Sequence, residues 1–571
     1  MNAAAAQAPT PVTDLDRIVR RVKEGSRAFA RLTIDERIRL AEELREGFGQ
    51  IAEESVRAAC AAKGIDFDSP LSGEEWLAGP MVTIRNLRLL TESLIDIKRG
   101  GAPRIEPSWV STLPDGRLSV RVYPSNGLEA MLMQKHEAEV HLQPGVTADR
   151  LRESQASFYR TPHDGRLCLV LGAGNVNAIP PTDAVYKLFV EGTAVVLKMN
   201  PVNEYLGPFI ERAFKPAIER GFFAVVYGGE DVGKYLVEHA LVDEVHITGS
   251  DKTHDLMVWG PPGPEREARK RRKDPLLKKE ITSELGNVTP VIVVPGPYTD
   301  AELQHQADNI AGMVTNNASF NCNAAKLLVL PKGWAQREKL LGYLEQSLQK
   351  GVVRRAYYPG AEERWKQLTQ GRRGLKLVGE AGPGELPYAL ITQVDPSNLE
   401  DDVFRTEPWC AVLSEVELGS AEPREFLEAA VPFVNAHVWG TLACSLIVHP
   451  KTQKDAELGP AVEKAIRELR YGSVAVNTWG GATFGLASPP WGGHPSSTLE
   501  DIQSGRGWVH NTYMLENIEK VVLRAPLKGM PPSPWFPGHR TLNQVGRKLV
   551  LFELEPSWLK IPGLAAAAMR A

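Results

Sequence analysis

Cysteine is scarce and scattered: five in 571 residues, at positions 60, 168, 322, 410 and 444, with no C-x-x-C pair. That argues against a disulfide scaffold and a zinc ribbon, no metal site is expected, and a reducing, cytoplasmic setting fits best. No apolar stretch approaches the ~18 uncharged residues that a membrane-spanning helix requires. The start, MNAAAAQAPTPV, lacks both a basic segment and a sustained apolar core, so no secretory leader is expected. Nor is there an excess of one charge. Lys+Arg 66 against Asp+Glu 70 leaves −4, which implies neither a nucleic-acid-binding basic surface nor an acidic tail. No internal repeat is present, which removes solenoids and propellers.

What remains is an ordinary globular composition, 43% hydrophobic and 24% charged. The length exceeds the roughly 250–300 residues that one hydrophobic core serves, so at least two domains are expected. Gly 50 and Pro 42 suit a loop-rich α/β protein. Residues 1–12 read as a loose tail. From Asp14 to about Lys63 the pattern is helical, with Leu40, Leu44, Phe48 and Ile51 on one stripe. A second helix is expected from Pro80 to about Lys98. Alternation in RLSVRVYPSNGL then predicts a hairpin turning at Pro124–Gly127 within an inserted region of about 100–150.

From Arg166 the rhythm is strand–helix–strand: RLCLVLGAG, PTDAVYKLFVEG, TAVVLKM, FFAVVYGG, DVGKYLVEHA and EVHITGS. Apolar five- to seven-residue runs alternating with helices predict a parallel, doubly wound sheet. The charged stretch 260–279 reads as a solvated loop. EITSEL and PVIVVPG resume the strands, an amphipathic helix covers about 300–315, and the α/β pattern continues to about 475. The Pro-rich last 50 residues suggest no regular element.

Cys322 stands out in NNASFNCNAAKLLVL because polar Asn321 and Asn323 flank it, whereas a structural thiol usually lies within an apolar run. A nucleophilic cysteine needs surroundings that favour the thiolate. One cysteine in a polar turn serves either reading equally well. Gly172 and Gly174 lack the third glycine and the spacing of a dinucleotide fingerprint, which is rejected.

Set in order, LGAGNVN, VVLKMNP, VHITGS, ITSELGN, NCNAAK and TEPWCAV resemble the hallmarks of the aldehyde dehydrogenase superfamily over about residues 165–520. Each motif is short, but the ordered set is specific. The resemblance implies an α/β fold with a Rossmann-type cofactor domain, an α/β catalytic domain and a small oligomerisation element. The expected bounds are 1–283 for the N-terminal helices and the cofactor domain, and 284–480 for the catalytic domain. Residues 481–571 would return to the cofactor domain and carry an oligomerisation strand and a C-terminal extension.

The resemblance also implies roles. Cys322 would be the nucleophile and Glu284 the general base for thioester hydrolysis. Asn175, with Asn177 as rival, would stabilise the oxyanion, and a base of this kind works best partly buried. NAD or NADP would be held by Lys198, Gly229, Gly233, Gly249, Ser250, Glu407 and Trp409, with helix N-termini toward its phosphates. The expected substrate is a small aldehyde and the expected assembly a homodimer or homotetramer, with no nucleic acid and no membrane span.

Three departures are visible. Pro201 stands where many NAD-preferring members place a glutamate, though Glu204 could supply a carboxylate nearby. Trp409-Cys410-Ala411 replaces Phe-Gly-Pro. GAGNVNAIPP is reminiscent of acyl-thioester reductases, so an acyl-CoA reductase or a CoA-acylating dehydrogenase is the alternative, against which Glu284 argues.

Overall fold

The computed structural model describes residues 7–571. In chain order the first strands are β1 (Val110–Thr112), β2 (Leu118–Tyr123), β3 (Glu137–Leu142), β4 (Leu167–Leu171), β5 (Ala194–Lys198) and β6 (Phe223–Val226). Next come β7 (Glu244–Gly249), β8 (Glu280–Leu285), β9 (Thr289–Val293), β10 (Ala325–Pro331), β11 (Leu375–Val378) and β12 (Tyr388–Val394). The last are β13 (Val412–Leu418), β14 (Ala443–Ile447), β15 (Ser473–Val476), β16 (Pro490–Trp491), β17 (Val509–His510) and β18 (Ile518–Arg524).

Two sheets dominate. The smaller has the order β6-β5-β4-β7-β8 and is parallel throughout. Its central strands LCLVL and AVVLK are apolar almost end to end because helices cover both faces. From β4 the chain winds outward through β5 and β6, then returns to the other side of β4 as β7. That reversal opens a crevice at the carboxyl ends of β4 and β7, where parallel sheets bind ligands.

The larger sheet has the order β1-β2-β3-β18-β15-β14-β9-β10-β13-β12-β11, with a parallel centre and antiparallel edges. Only residues 286–288 separate β8 from β9, so the carboxyl end of one sheet leads straight into the amino end of the other. The overall α/β class therefore agrees with the sequence reading.

The long helix Ile34–Lys63 starts on a Thr33–Glu36 capping box and stops at Gly64, φ 71°. Its stripe of Leu40, Leu44, Phe48 and Ile51 is buried. Four of the five cysteines, Cys60, Cys168, Cys410 and Cys444, are buried too, and Cys322 alone is half-exposed.

Several expectations are corrected. Residues 7–11 are held to the domain: Gln7 N–H donates to Glu204 Oε1 at 3.0 Å, and Thr10 pairs with Tyr227 through two hydrogen bonds. Residues 1–6 of the expected tail lie outside the described residues. The Pro124–Gly127 turn does not close a hairpin directly. Asn126 caps the short helix Gly127–Leu132, which carries the chain to β3, while β2 also pairs with β1. Residues 260–279 contain a helix, Pro264–Arg272, with Pro at its first turn, glutamates early and arginines late; its charges complement the helix dipole, and with no buried residue it lacks the apolar stripe of a core-facing helix. The C-terminal residues form helices Leu542–Leu554 and Ile561–Ala568. Glu553 in the first of these meets Arg85 and Arg88 at 2.8 and 2.7 Å, and Arg85 also holds Glu129, so the extension and the 100–150 region close over helix Val82–Gly100 together.

Candidate active site

Between the two sheets lies a cavity of about 1230 Å³. Asn175, Lys198, Gly229, Gly233, Gly249, Ser250, Glu284, Cys322, Glu407 and Trp409 all line it. Asn177, the rival of Asn175, does not. Its amide donates to Glu75 Oε2 at 2.8 Å, inside the protein. Glu204 does not line it either, whereas Pro201 does.

Cys322 sits in the loop between helix Asp300–Thr315 and β10. Three residues in that loop, Asn317, Ala318 and Ser319, have φ of 51°, 52° and 67°, a left-handed region costing about 1–3 kcal/mol for each non-glycine residue. Buried side chains hold them there. Asn317 Nδ2 donates to the carbonyls of Asn175 and Phe320 at 3.0 and 3.1 Å, and its Oδ1 accepts from Lys63 Nζ at 3.0 Å and Tyr357 Oη at 2.9 Å. Lys326 Nζ donates to Ser319 O, Ser319 Oγ and Cys410 O. Asn175 Nδ2 donates to Phe320 O at 2.9 Å, which puts this amide beside the cysteine loop.

Polar flanks do not activate the thiol. Asn321 bonds to Asn316 and Asn317, and Cys322 packs beside Tyr186, Leu442, Ala443, Trp491 and Val509. Burial, then the carboxyl of Glu284, pushes its thiol well above the usual range, so the resting group is neutral. Glu284, at the end of β8, is fully rather than partly buried; Cys322 and Trp491 stand beside its carboxyl, but neither makes a hydrogen bond of good geometry to it. Burial first, then the charge of Asp183, raises it to about 7, while Cys322 and Trp491 pull the other way. A thiol and a near-neutral carboxyl thus face one another with donor and acceptor capacity free.

Glu407 reaches the cavity from the loop before β13. Its Oε1 accepts the Asn287 N–H at 3.1 Å, and Gly286 is needed there, since a Cβ would come within 2.0 Å of Oε2. Burial raises Glu407 and lowers its neighbour Lys326. Trp409 is left-handed at φ 47°, packs edge-on to Tyr358 with ring centres 5.4 Å apart, and has its carbonyl near Arg364.

On the other wall, Lys198 Nζ makes one hydrogen bond, to Met199 O at 3.2 Å, and burial lowers its pKa. Gly229 caps helix Glu230–Glu238 and faces open space, and a Cβ on Gly233 would sit 3.8 Å from Lys198 Cε, filling the cradle between helix and lysine. Ser250 caps helix Asp251–Trp259, its Oγ accepting from Thr253 N–H. Two helix N-termini, a lysine with spare donors and a long cavity fit a dinucleotide, whose phosphates favour such ends. Sequence reasoning missed Gly286, Asn317, Lys326 and Lys63. The spacing of Lys326, four residues after Cys322, was the one local signal; Lys63 is 254 residues from its partner Asn317 and left none.

Residues 132–355 match the family model described as aldehyde dehydrogenase family. A curated relative, 4-trimethylaminobutyraldehyde dehydrogenase A of Danio rerio, is 28% identical over 210 residues, which is 36% of each chain. The match thus spans about a third of that relative's length. The fold is similar to that of NADP-dependent glyceraldehyde-3-phosphate dehydrogenase from Bacillus halodurans, solved with NADP, at TM-score 0.59 and 16% identity over 90% of this chain and 91% of the other. It is equally similar to aldehyde dehydrogenase C of Pseudomonas syringae, solved as a variant with NAD+ and octanal, at TM-score 0.59 and 16% identity over 90% and 89%.

Proposed function

With an aldehyde dehydrogenase family domain over residues 132–355 and that superfamily's fold along the chain as the premise, we propose that the protein oxidises an aldehyde to a carboxylic acid with NAD or NADP. The observation that carries this reading is Glu284: buried, raised to about 7, both oxygens unpartnered, in one cavity with Cys322. A carboxylate stripped of partners destabilises a resting fold, and a group that must take a proton from water near neutral pH has reason to be kept so.

Cys322 adds to the aldehyde carbonyl, its proton leaving toward Glu284. The Asn175 amide and the Cys322 backbone N–H hold the oxygen as it gains charge. Lys198, Glu407 and the helix ends capped by Gly229 and Ser250 would hold the dinucleotide, with Trp409 forming part of the same cavity wall. The bound cofactor supplies the two-electron acceptor. Once it has released the thiol's proton, Glu284 draws another from water, which attacks the thioester on Cys322; the acid leaves, and its proton restores the Cys322 thiol. A second copy of the chain, as dimer or tetramer, belongs to this reading, as does a cytoplasmic setting.

The test is Glu284→Gln in the presence and absence of coenzyme A. A burst of reduced cofactor followed by a stall supports hydrolysis by Glu284. Unchanged steady turnover of the variant with water removes Glu284 as the base, and wild-type turnover that requires coenzyme A overturns the reading in favour of acyl transfer.

A further inference from the structure

We propose that Asp183, Thr248, His246 and Thr282 carry the proton that Glu284 takes from water away to a second cavity, so that the base is reset without reopening the aldehyde site. The proposal rests on the reading of Glu284 as the hydrolytic base.

The arrangement follows from register. Thr248 on β7 pairs with Glu284 on β8, and His246 pairs with Thr282, so all four side chains stand on one face of the smaller sheet. Helix Ile179–Phe189 lies across the sheet and lowers Asp183, without any exposed surface, onto them. Thr248 Oγ1 donates to Asp183 Oδ2 at 2.7 Å and lies 3.4 Å from His246 Nε2, which is itself 3.5 Å from Asp183 Oδ2. His246 Nδ1 lies 2.9 Å from Thr282 Oγ1.

At the catalytic end, three buried oxygens have no partner: both of Glu284 and Oδ1 of Asp183. Such oxygens need a donor, which a shared proton or a water supplies. Asp183 also raises Glu284 by its charge, second to burial, which places the two carboxyls within electrostatic reach of each other. At the outer end, Thr282 lines a separate cavity of about 420 Å³, walled by β8 and the loop carrying Gly493, Ser497 and Arg506.

Ion pairs occupy the far end of the polar face, and Glu280 among them also lines the outer cavity. Lys187 pairs with Glu191 and Glu244, and Arg166 with Glu244 and Glu280. The other ionisable groups near the path are Cys322 beside Glu284, Cys168 beside Lys187 and Glu244, and Lys279, Glu280 and Arg506 at the outer cavity. Of the four relay residues, Thr282 is the one that lines the outer cavity.

The proton balance is simple. Protonated Glu284 passes its proton to Asp183. Asp183 passes one through the Thr248 hydroxyl to His246 Nε2, and His246 releases the proton on Nδ1 through the Thr282 hydroxyl to solvent. No carbon bond changes, and each hydrolysis delivers one proton to the outer cavity; the thiol's proton, taken up earlier in the turnover, leaves by the same path. Asp183 and His246 act through Glu284 and touch no substrate.

The experiment needs no cofactor. p-Nitrophenyl acetate acylates Cys322 with a burst of nitrophenolate, and the steady rate then reports deacylation by the base. We expect His246→Phe to keep the burst, slow deacylation by roughly ten- to a hundredfold and become dependent on imidazole buffer concentration. Asp183→Asn should shift the midpoint of the deacylation pH profile downward, because a charge that raises Glu284 is gone. Thr282→Val, on the half-exposed edge strand, gives a variant that leaves the core intact and should show the same buffer dependence.

Wild-type deacylation, pH midpoint and buffer independence in all three variants would overturn the relay. If Glu284→Gln also deacylates normally, the base assignment fails with it. If Glu284→Gln alone is impaired, only the relay fails.

Discussion

Lys63 Nζ lies 3.0 Å from Asn317 Oδ1, joining the last residue of an N-terminal helix to the left-handed turn that precedes Cys322. The same ammonium meets Glu75 Oε1 at 2.9 Å and the carbonyl of Asn175 at 3.2 Å. Cys322 and Asn175 are therefore held in register by one buried cation.

Lys63→Met should leave Glu75 buried without its partner and cost about 3–5 kcal/mol. Urea unfolding checks this. Lys63→Met combined with Glu75→Leu should recover much of the stability, yet not the rate of Cys322 acylation, since the turn would still lack its anchor.

Cys322→Ala should abolish oxidation while cofactor binding, followed by nucleotide fluorescence, survives, because Lys198, Glu407 and the helix ends are untouched. Substantial turnover by the alanine variant sinks the nucleophile.

The pH dependence of hydrolysis follows from Glu284. Only its ionised form accepts a proton, and it is raised to about 7, so deacylation should fall below neutral pH and plateau above. Stability runs the other way. A carboxyl raised on folding favours the fold fully below its unfolded value, and that contribution is lost as pH rises through about 7. Glu284→Gln should therefore melt higher than wild type at pH 8, by about 1–3 kcal/mol in stability, with the difference shrinking at pH 5. Equal melting behaviour at both pH values would contradict the raised carboxyl.

Gly286→Ala puts a methyl where Glu407 Oε2 now lies and should displace that carboxyl. Calorimetry should show cofactor affinity falling by roughly tenfold or more, with p-nitrophenyl acetate acylation of Cys322 largely kept.

Cofactor choice turns on Pro201, which lines the cavity and offers no carboxylate against a 2′-phosphate. Glu204 does not substitute for it, being engaged by Gln7 N–H. Comparable kcat/KM for NAD and NADP is expected, with Pro201→Glu disfavouring NADP. Exclusion of NADP by wild type over several orders of magnitude would refute this.

Residues at strand ends were legible because local sequence places them. A buried run such as LCLVL or EVHITG fixes a strand, and the next residues fall at its carboxyl edge, where Asn175, Gly249 and Glu284 all lie. What failed to show depends on distance along the chain. Lys63 on Asn317 and Glu553 on Arg85 join residues 254 and 468 positions apart, and nothing local marks either. The thiol's surroundings were misread for a related reason. Asn321 and Asn323 flank Cys322 in sequence, but Tyr186, Leu442 and Trp491 surround it in space. Helix Pro264–Arg272 escaped notice because its charges leave no apolar stripe to count.

The burial of the other four cysteines gives the protein a built-in gauge. Burial drives the Cys60 thiol up to about 12 and that of Cys410 up to about 11, and Cys168 and Cys444 rise further. The Cys322 thiol is raised as well, but it alone is open to a cavity rather than buried, so an alkylating reagent applied to the native fold should consume one equivalent per intact chain, at Cys322, and five after denaturation. The ratio of the two counts is the fraction of a preparation whose catalytic centre is correctly assembled.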